Sequence, residues 1–478
     1  MKAKIIALIE LVVIIVLAGA LVTQCVSFKK TGPVVREPAA PGESTLSYTP
    51  PPPPKFPIEV VKKLPELRRA FTPTVDKITD DIYLARGFAL GSVMMVITDE
   101  GLVIIDTTES TDAAGEILER FRRITDKPIR YIIYTHGHPD HFYGAPVFME
   151  DGTRIIATKT AVKFMKKDFG WLKPFQMRSR LNQAGIVAPE FSRKLPVESG
   201  IRDFSKRGDP VYPTITFDEE YSFMLGGKKF ELYHTTGETP GHLMVWLPDE
   251  RALFPGDLYY MSFPNLSTPM LEPRPVKGWY DSLERMILMN AEYLVPSHTA
   301  AIIGEENVRE VLTYHSKAIR YVYGETIKAI NEGKTVDEAV HSIKLPPELA
   351  SRFHLQELYG RVDWSVRGIY QGETGWYDGH GTGLAPLPPR FLARELIKIA
   401  GGADKILERA IELQKADEHQ LVCELCDVVI NANPNDKLAR IIKANSLEYL
   451  GYQGGNLNMF GFYRSAAALE RQAAGAKP

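Results

Sequence analysis

The sequence predicts an α/β fold followed by an all-helical region, and three observations carry that prediction. From Asp76 onward, short apolar runs (ITDDIYLARG, SVMMVITD, GLVIIDT) are separated by the turn residues Gly91 and Glu100-Gly101, which is the punctuation of successive strands. Residues 113–124 then repeat apolar positions at helical spacing, and 129–134 (IRYIIY) form a buried-strand run. From Asn307 onward the apolar period is helical throughout. Dividing 478 residues by about 150 per domain allows roughly three units. We divide the chain into an N-terminal segment (1–28), a Pro-rich linker (29–75), an α/β domain (76–304) and a helical domain (305–478).

Composition narrows the partners. The 57 Lys and Arg against 59 Asp and Glu leave a net charge of −2, which argues against nucleic acid, whose binding requires a basic surface. Three cysteines cannot build a disulfide scaffold. At the N-terminus Lys2 and Lys4 precede the uninterrupted apolar stretch 11–22 (LVVIIVLAGALV), while Glu10 breaks any longer count. The stretch has the length of a secretory h-region, and Ala18-Gly19-Ala20 offers a cleavage site. Bulky Gln24 makes Cys25 a poor lipoprotein site. We expect export to the periplasmic or extracellular face, with this segment kept as a membrane anchor and cleavage as the alternative. The linker contains Pro50 to Pro54, which predicts an extended polyproline II spacer.

The chemistry concentrates after the strand at 129–134, in Thr135-His136-Gly137-His138-Pro139-Asp140-His141. Three histidines and an aspartate within six residues converge on one loop at a strand end. Imidazole and carboxylate together suit a hydrolytic zinc site, and core packing gives no reason for such a run.

This HxHxDH run resembles the signature of the metallo-β-lactamase superfamily. The resemblance implies an αββα sandwich with two zinc ions per chain at one sheet edge, one taking His136 and His138, the other Asp140 and His141. Later loops supply further candidates in the expected order. His234-Thr-Thr-Gly-Glu238-Thr-Pro-Gly-His242 follows a strand, ALFPGD places Asp257 after a glycine, and YLVPSH ends in His298. The implied set is His136, His138 and Glu238 on one ion, Asp140, His141 and His298 on the other, with Asp257 bridging. His242 is an alternative to Glu238 or a support behind the ligands, and His234 a loop stabiliser.

A carboxylate at the third ligand position, with a second nineteen residues later, resembles the zinc-dependent alkyl sulfatases. Asn265 and Thr268 fall where that family surrounds its sulfate group. Downstream, LPPEL at 345–349, Tyr359-Gly360, Ile369-Tyr370, GWYDG at 375–379 and PLPP at 386–389 resemble the family's helical dimerisation domain, which implies a homodimer. Two departures stand out. The family's sulfate-binding arginine falls at Met270, with Arg274 close enough to substitute, and its lipid-carrier-like third domain has no counterpart before residue 478.

The implied reaction is attack by a metal-activated hydroxide on a small-molecule sulfate ester of an alkyl chain. Asp140 and Asp257 orient the hydroxide, while Asn265, Thr268 and Arg274 hold the anionic group. Tyr259, Tyr260 and Met261 are candidates for the alkyl-side wall, or simple core packing. Met270 keeps open a hydrolase of a lactone, thioester, β-lactam or phosphodiester, and a non-catalytic anchored dimeric scaffold is the third alternative. In the helical region we expect helices at 308–331, 404–413, 418–432 and 438–450, the first closed by Gly333. Cys423 and Cys426 form a lone CxxC that core packing explains better than zinc.

Overall fold

A computed structural model describes residues 42, 44, 46–52, 54–55, 72–185 and 209–476. The N-terminal segment 1–28 and most of the linker lie outside the described residues. Among those residues no helix is long and apolar enough to cross a membrane.

Two sheets face one another. The first has the order β1 (Thr74–Lys77), β2 (Ile82–Arg86), β3 (Val93–Thr98), β4 (Gly101–Ile105), β5 (Ile129–Ile133), β6 (Arg154–Thr158) and β7 (Ile215–Phe217). Pairing is antiparallel up to β4 and parallel from there on. The second sheet runs β8 (Glu220–Leu225), β9 (Lys228–His234), β10 (Leu243–Leu247), β11 (Ala252–Phe254), β12 (Tyr293–Leu294) and β13 (Ile302–Ile303), antiparallel except where β11 meets β12.

Strand alternation explains the continuous apolar runs in the sequence, because both faces of each sheet are covered. Met94, Val96, Val103 and Ile105 point inward onto Leu232, Val245 and Phe254 of the second sheet. Their neighbours Val93, Met95, Leu102 and Ile104 point outward onto the helix α1 (Thr111–Arg122), through Ala113, Ile117 and Phe121. Ser110 caps α1 by accepting from the Ala113 N–H. Between β5 and β7 lie two short helices, α2 (Pro139–Phe142) and α3 (Ala145–Phe148), then α4 (Lys159–Lys166), a π-turn (Lys167–Trp171) and α5 (Lys173–Ala184). The outer face of the second sheet is covered by α6 (Val276–Leu288) and α7 (Glu305–Asn331). These layers make the αββα sandwich.

The rest is helical: α8 (Val336–Ser342), α9 (Pro347–Ala350), α10 (Val362–Thr374), α11 (Pro389–Ala400), α12 (Ala403–Lys415), α13 (His419–Ala432), α14 (Lys437–Gln453) and α15 (Leu457–Ala473). The four helices expected there are present with shifted ends. Helices α7, α8 and α10 share one continuous core with the second sheet, whereas α11 to α14 close around a core of their own. Cys423 and Cys426 are free and buried in α13, so the CxxC packs and forms no disulfide.

The linker departs from expectation. Its described part is extended, but it is docked along the helices instead of standing free. Leu46 and Tyr48 pack against the α11–α14 core. The Tyr48 hydroxyl donates to Gln414 Oε1 (2.8 Å) and accepts from Asn445 Nδ2 (2.9 Å), and Tyr449 donates to the Pro52 carbonyl. A proline-rich composition predicts extension; the apolar side chains among the prolines decide that it adheres.

Candidate metal centre

The loops that leave β4, β5, β9, β11 and β12 meet at one end of the sandwich, and each histidine or carboxylate of interest stands on one of them. Pro139 starts α2 immediately after His138, which turns the chain so that Asp140 and His141 face back toward His136. Asp257 lies in a tight turn (Gly256–Leu258) after β11, where Gly256 has φ +57°. A Cβ on Gly256 would stand 2.7 Å from the His242 ring, so the close approach also requires glycine. Behind that turn the fully buried Trp279 of α6 donates its indole N–H to the Leu258 carbonyl (2.9 Å).

Two groups of donor atoms result. Asp140, His141, Asp257 and His298 form one, and His136, His138 and Asp257 the other, each with its donor atoms within 4.8 Å of one another. Asp257 belongs to both. Its Oδ2 lies 2.9 Å from His298 Nε2, 3.5 Å from His141 Nε2 and 3.8 Å from His136 Nε2. Glu238 reaches the second group through Oε1, 3.7 Å from His138 Nδ1. Inside this ring His141 Nε2 and Asp257 Oδ1 are buried without a hydrogen-bond partner. Orphaned lone pairs among imidazoles and carboxylates are what a cation would satisfy, so the donor set fits a metal site.

The rings of His136, His141 and His298 are braced from behind, the first by Thr135 Oγ1, 3.1 Å from its Nδ1. Asp106, fully buried with a left-handed φ of +57°, accepts from Thr135 N (2.8 Å), Thr135 Oγ1 (2.8 Å) and Ser297 Oγ (2.7 Å) and holds His141 Nδ1 at 2.7 Å. His298 Nδ1 donates to the Leu90 carbonyl (2.9 Å), and Glu109 fixes that loop by accepting from the N–H groups of Leu90 and Gly91. His242 has both ring nitrogens engaged by the scaffold: Nε2 accepts from the Asp257 N–H (3.1 Å) and Nδ1 meets Thr235 Oγ1 (3.2 Å). It therefore supports the Asp257 turn. His234 bonds the Pro240 carbonyl and steadies its loop.

Electrostatics divide the four histidines: against the desolvation of their burial, Asp257 and its neighbouring carboxylates push His141 well up and His298 up to about 9, whereas the other two are depressed. Burial holds His136 and His138 well below the usual imidazole range, with Arg180 and Arg274 adding to the effect at His138, so both are neutral donors. Burial opposes the Asp257 charge, but His298 and His141 beside it hold the carboxyl well below its ordinary value.

The wall facing the histidines differs from expectation in one respect. Arg274 does enter the site, but it pairs with Glu238 and donates to the Asn265 carbonyl (2.5 Å). Asn265 Oδ1 and Nδ2 and Thr268 Oγ1 are buried with no partner. Tyr260 accepts from the Asn265 N–H (2.6 Å), and Tyr259 packs on His315, so both serve packing and positioning. Sequence reading gave no role to Asp106, Glu109, Ser297 or Arg180. For Asp106 a signal existed, the aspartate ending the strand run IIDT; the others carry none.

Residues 86–298 match the family described as metallo-beta-lactamase superfamily, and residues 335–473 match alkyl sulfatase dimerisation. A linear primary-alkylsulfatase of Pseudomonas sp. (strain ATCC 19151) is 36% identical over 389 residues, covering 79% of this chain and 73% of its own. An alkyl/aryl-sulfatase of Saccharomyces cerevisiae is 27% identical over 79% of this chain, which spans 60% of that protein's length. Among solved structures, a stereoselective inverting sec-alkylsulfatase from Pseudomonas sp. superposes with a TM-score of 0.77 at 22% identity, over 92% of this chain and 74% of that one, a likeness of fold.

Proposed function

The chain belongs to the alkyl sulfatase family, and on that premise we propose that it is a di-zinc hydrolase cleaving sulfate esters of alkyl chains. The observation that carries this reading is one carboxylate, Asp257, common to two histidine clusters, with Glu238 beside them tied through Arg274 to the Asn265 backbone. His136, His138 and Glu238 would hold one ion, and Asp140, His141 and His298 the other. When bound, the pair supplies a nucleophile at neutral pH and Lewis-acid stabilisation of developing charge. Asp257 and Asp140 set negative charge between the clusters and orient the nucleophile. Asn265 and Thr268 offer an N–H and an O–H donor to the oxygens of an anionic ester, at no cost in existing hydrogen bonds. Arg274 acts as a positioning residue, since it fixes Glu238 and the Asn265 backbone together.

The helical region supports a homodimer: Trp376, Tyr377, Leu384, Leu387, Leu392 and Ile399 expose apolar surface within one stretch of chain. Export and anchoring through residues 1–28 rest on the apolar run 11–22 with its preceding lysines.

The test is metal content per chain by elemental analysis, followed by turnover of alkyl sulfates, lactones and β-lactams with and without chelator. Chelator-sensitive release of sulfate is expected. Less than one metal per chain with no chelator-sensitive turnover would sink the enzyme reading, and cleavage of lactones or β-lactams alone would remove the sulfate ester.

A further inference from the structure

Arg180 stands on α5 beside the site, and nothing in the established ligand pattern uses it. Among the described residues its guanidinium makes no hydrogen bond and no ion pair, and its Nε is sealed from solvent without a partner. The ring of Phe169 lies 5.4 Å from the guanidinium carbon, and the charges of Asp140 and Asp168 reach it without an ion pair. Arg180 is half-buried, so its sealed Nε lacks the hydrogen bond that water would give, while its terminal nitrogens stay open to an anion.

Its location is fixed twice. Ser179, the preceding residue, donates to the carbonyl of Met270 (3.2 Å), so α5 is fastened to the very loop where an arginine is missing. Met270 itself has a left-handed φ of +62° and is 37% exposed. From behind, α5 is clamped to the last helix: Gln183 Nε2 donates to Asn458 Oδ1 (2.8 Å), and Ser465 Oγ donates to the Asn182 carbonyl (2.9 Å). A Cβ on Gly461 would stand 1.8 Å from the Gln183 carbonyl, so the two helices are in close contact. The charge faces the metal ligands: after burial, Arg180 is the largest influence depressing His138, and Asp140 is the carboxylate that acts on Arg180 most strongly. Asp168 also feels the charge, but forms no ion pair with it.

We propose that Arg180 binds the anionic sulfate group of the substrate, supplying from α5 the guanidinium that position 270 lacks. The inference rests on the sulfatase reading. A planar fork with free N–H groups suits the oxygens of a tetrahedral monoanion, with Asn265 and Thr268 as neutral donors beside it.

The experiment uses the full-length, metal-loaded protein. In R180Q, KM for a medium-chain alkyl sulfate is expected to rise about 10- to 100-fold, the loss expected for charged hydrogen bonds. Inhibition by inorganic sulfate should weaken by the same factor, with metal content unchanged. R180K should recover part of the loss, and Arg178→Gln, an exposed change on the same helix, should leave both values alone. A KM and a sulfate inhibition constant within about twofold of wild type in R180Q would overturn the proposal. If R180Q fails to fold, the same comparison is made with R180K, whose point charge cannot reproduce the fork. If wild type turns over no sulfate ester, the sulfatase reading falls by itself. Calorimetric binding of inorganic sulfate to wild type and R180Q then still decides Arg180.

Discussion

The histidine side of the site and the wall opposite are built on contrary rules. On the histidine side the spare ring nitrogens of three histidines are tied down: His141 to Asp106, His298 to the Leu90 carbonyl, His136 to Thr135. On the other wall the Asn265 side-chain amide, the Thr268 hydroxyl and the Arg180 Nε are buried without hydrogen-bond partners among the described residues. Bracing fixes where lone pairs point before any ligand arrives. Unpaired donors do the reverse, costing about 1–3 kcal/mol each in the free protein and recovering it when an acceptor binds. One side therefore determines geometry, and the other stores affinity.

Breaking the braced side should have the largest effect. Asp257→Ala removes the carboxylate common to both clusters. Metal content by elemental analysis is expected to drop, and turnover to fall well beyond the ~100-fold that losing an outer support costs. Retained metal with turnover near wild type would show that Asp257 bridges nothing. Next in size is Asp106→Asn. Asp106 meets three donors and the His141 ring, and an amide must present an N–H to one of them. Metal affinity, measured by competition with a chelating dye, should weaken about 10- to 100-fold, whereas KM for alkyl sulfate should change little once metal is saturating.

The two sides also differed in how far the sequence revealed them. The histidine run could be read because four donors fall within six residues, a local density that packing does not produce. Asp257 and His298 came from the superfamily resemblance, with which their order and strand-end positions agree. The sandwich was legible through short apolar runs broken by glycine, and the helices through their period. Arg180 was not legible, since it sits about forty residues from the nearest motif on a polar helix whose buried residues are Gln176 and Ser179, and only folding brings it to His138. Arg274 was legible by position but not by role: whether a guanidinium meets Glu238 or a substrate is decided by a few ångströms. The docking of Tyr48 on Gln414 and Asn445 was hidden for the same reason, because the partners are more than 360 residues apart.

A smaller effect isolates the cost on the unpaired wall. Thr268→Val exchanges a buried, unsatisfied hydroxyl for a methyl of similar size. Thermal unfolding should show equal or greater stability, by up to about 1 kcal/mol, while KM for alkyl sulfate rises about 3- to 10-fold. Loss of stability would mean that the hydroxyl is already satisfied, and the contrast between the walls would weaken.

The smallest effect is expected from Met270→Arg, which puts an arginine where the family resemblance leads one to expect it. If position 270 were simply a defect, repair should tighten sulfate binding tenfold or more. The structure argues otherwise. Met270 is anchored by its carbonyl to Ser179, its left-handed backbone suits arginine no better than methionine, and its side chain is more than a third exposed. A guanidinium there would remain hydrated, and the neighbouring Arg180 would repel it. The gain in KM for alkyl sulfate should stay under about fivefold, the upper range for an exposed ion pair. A larger gain would place the anion site on the 270 loop and leave the unpaired charge of Arg180 without its partner.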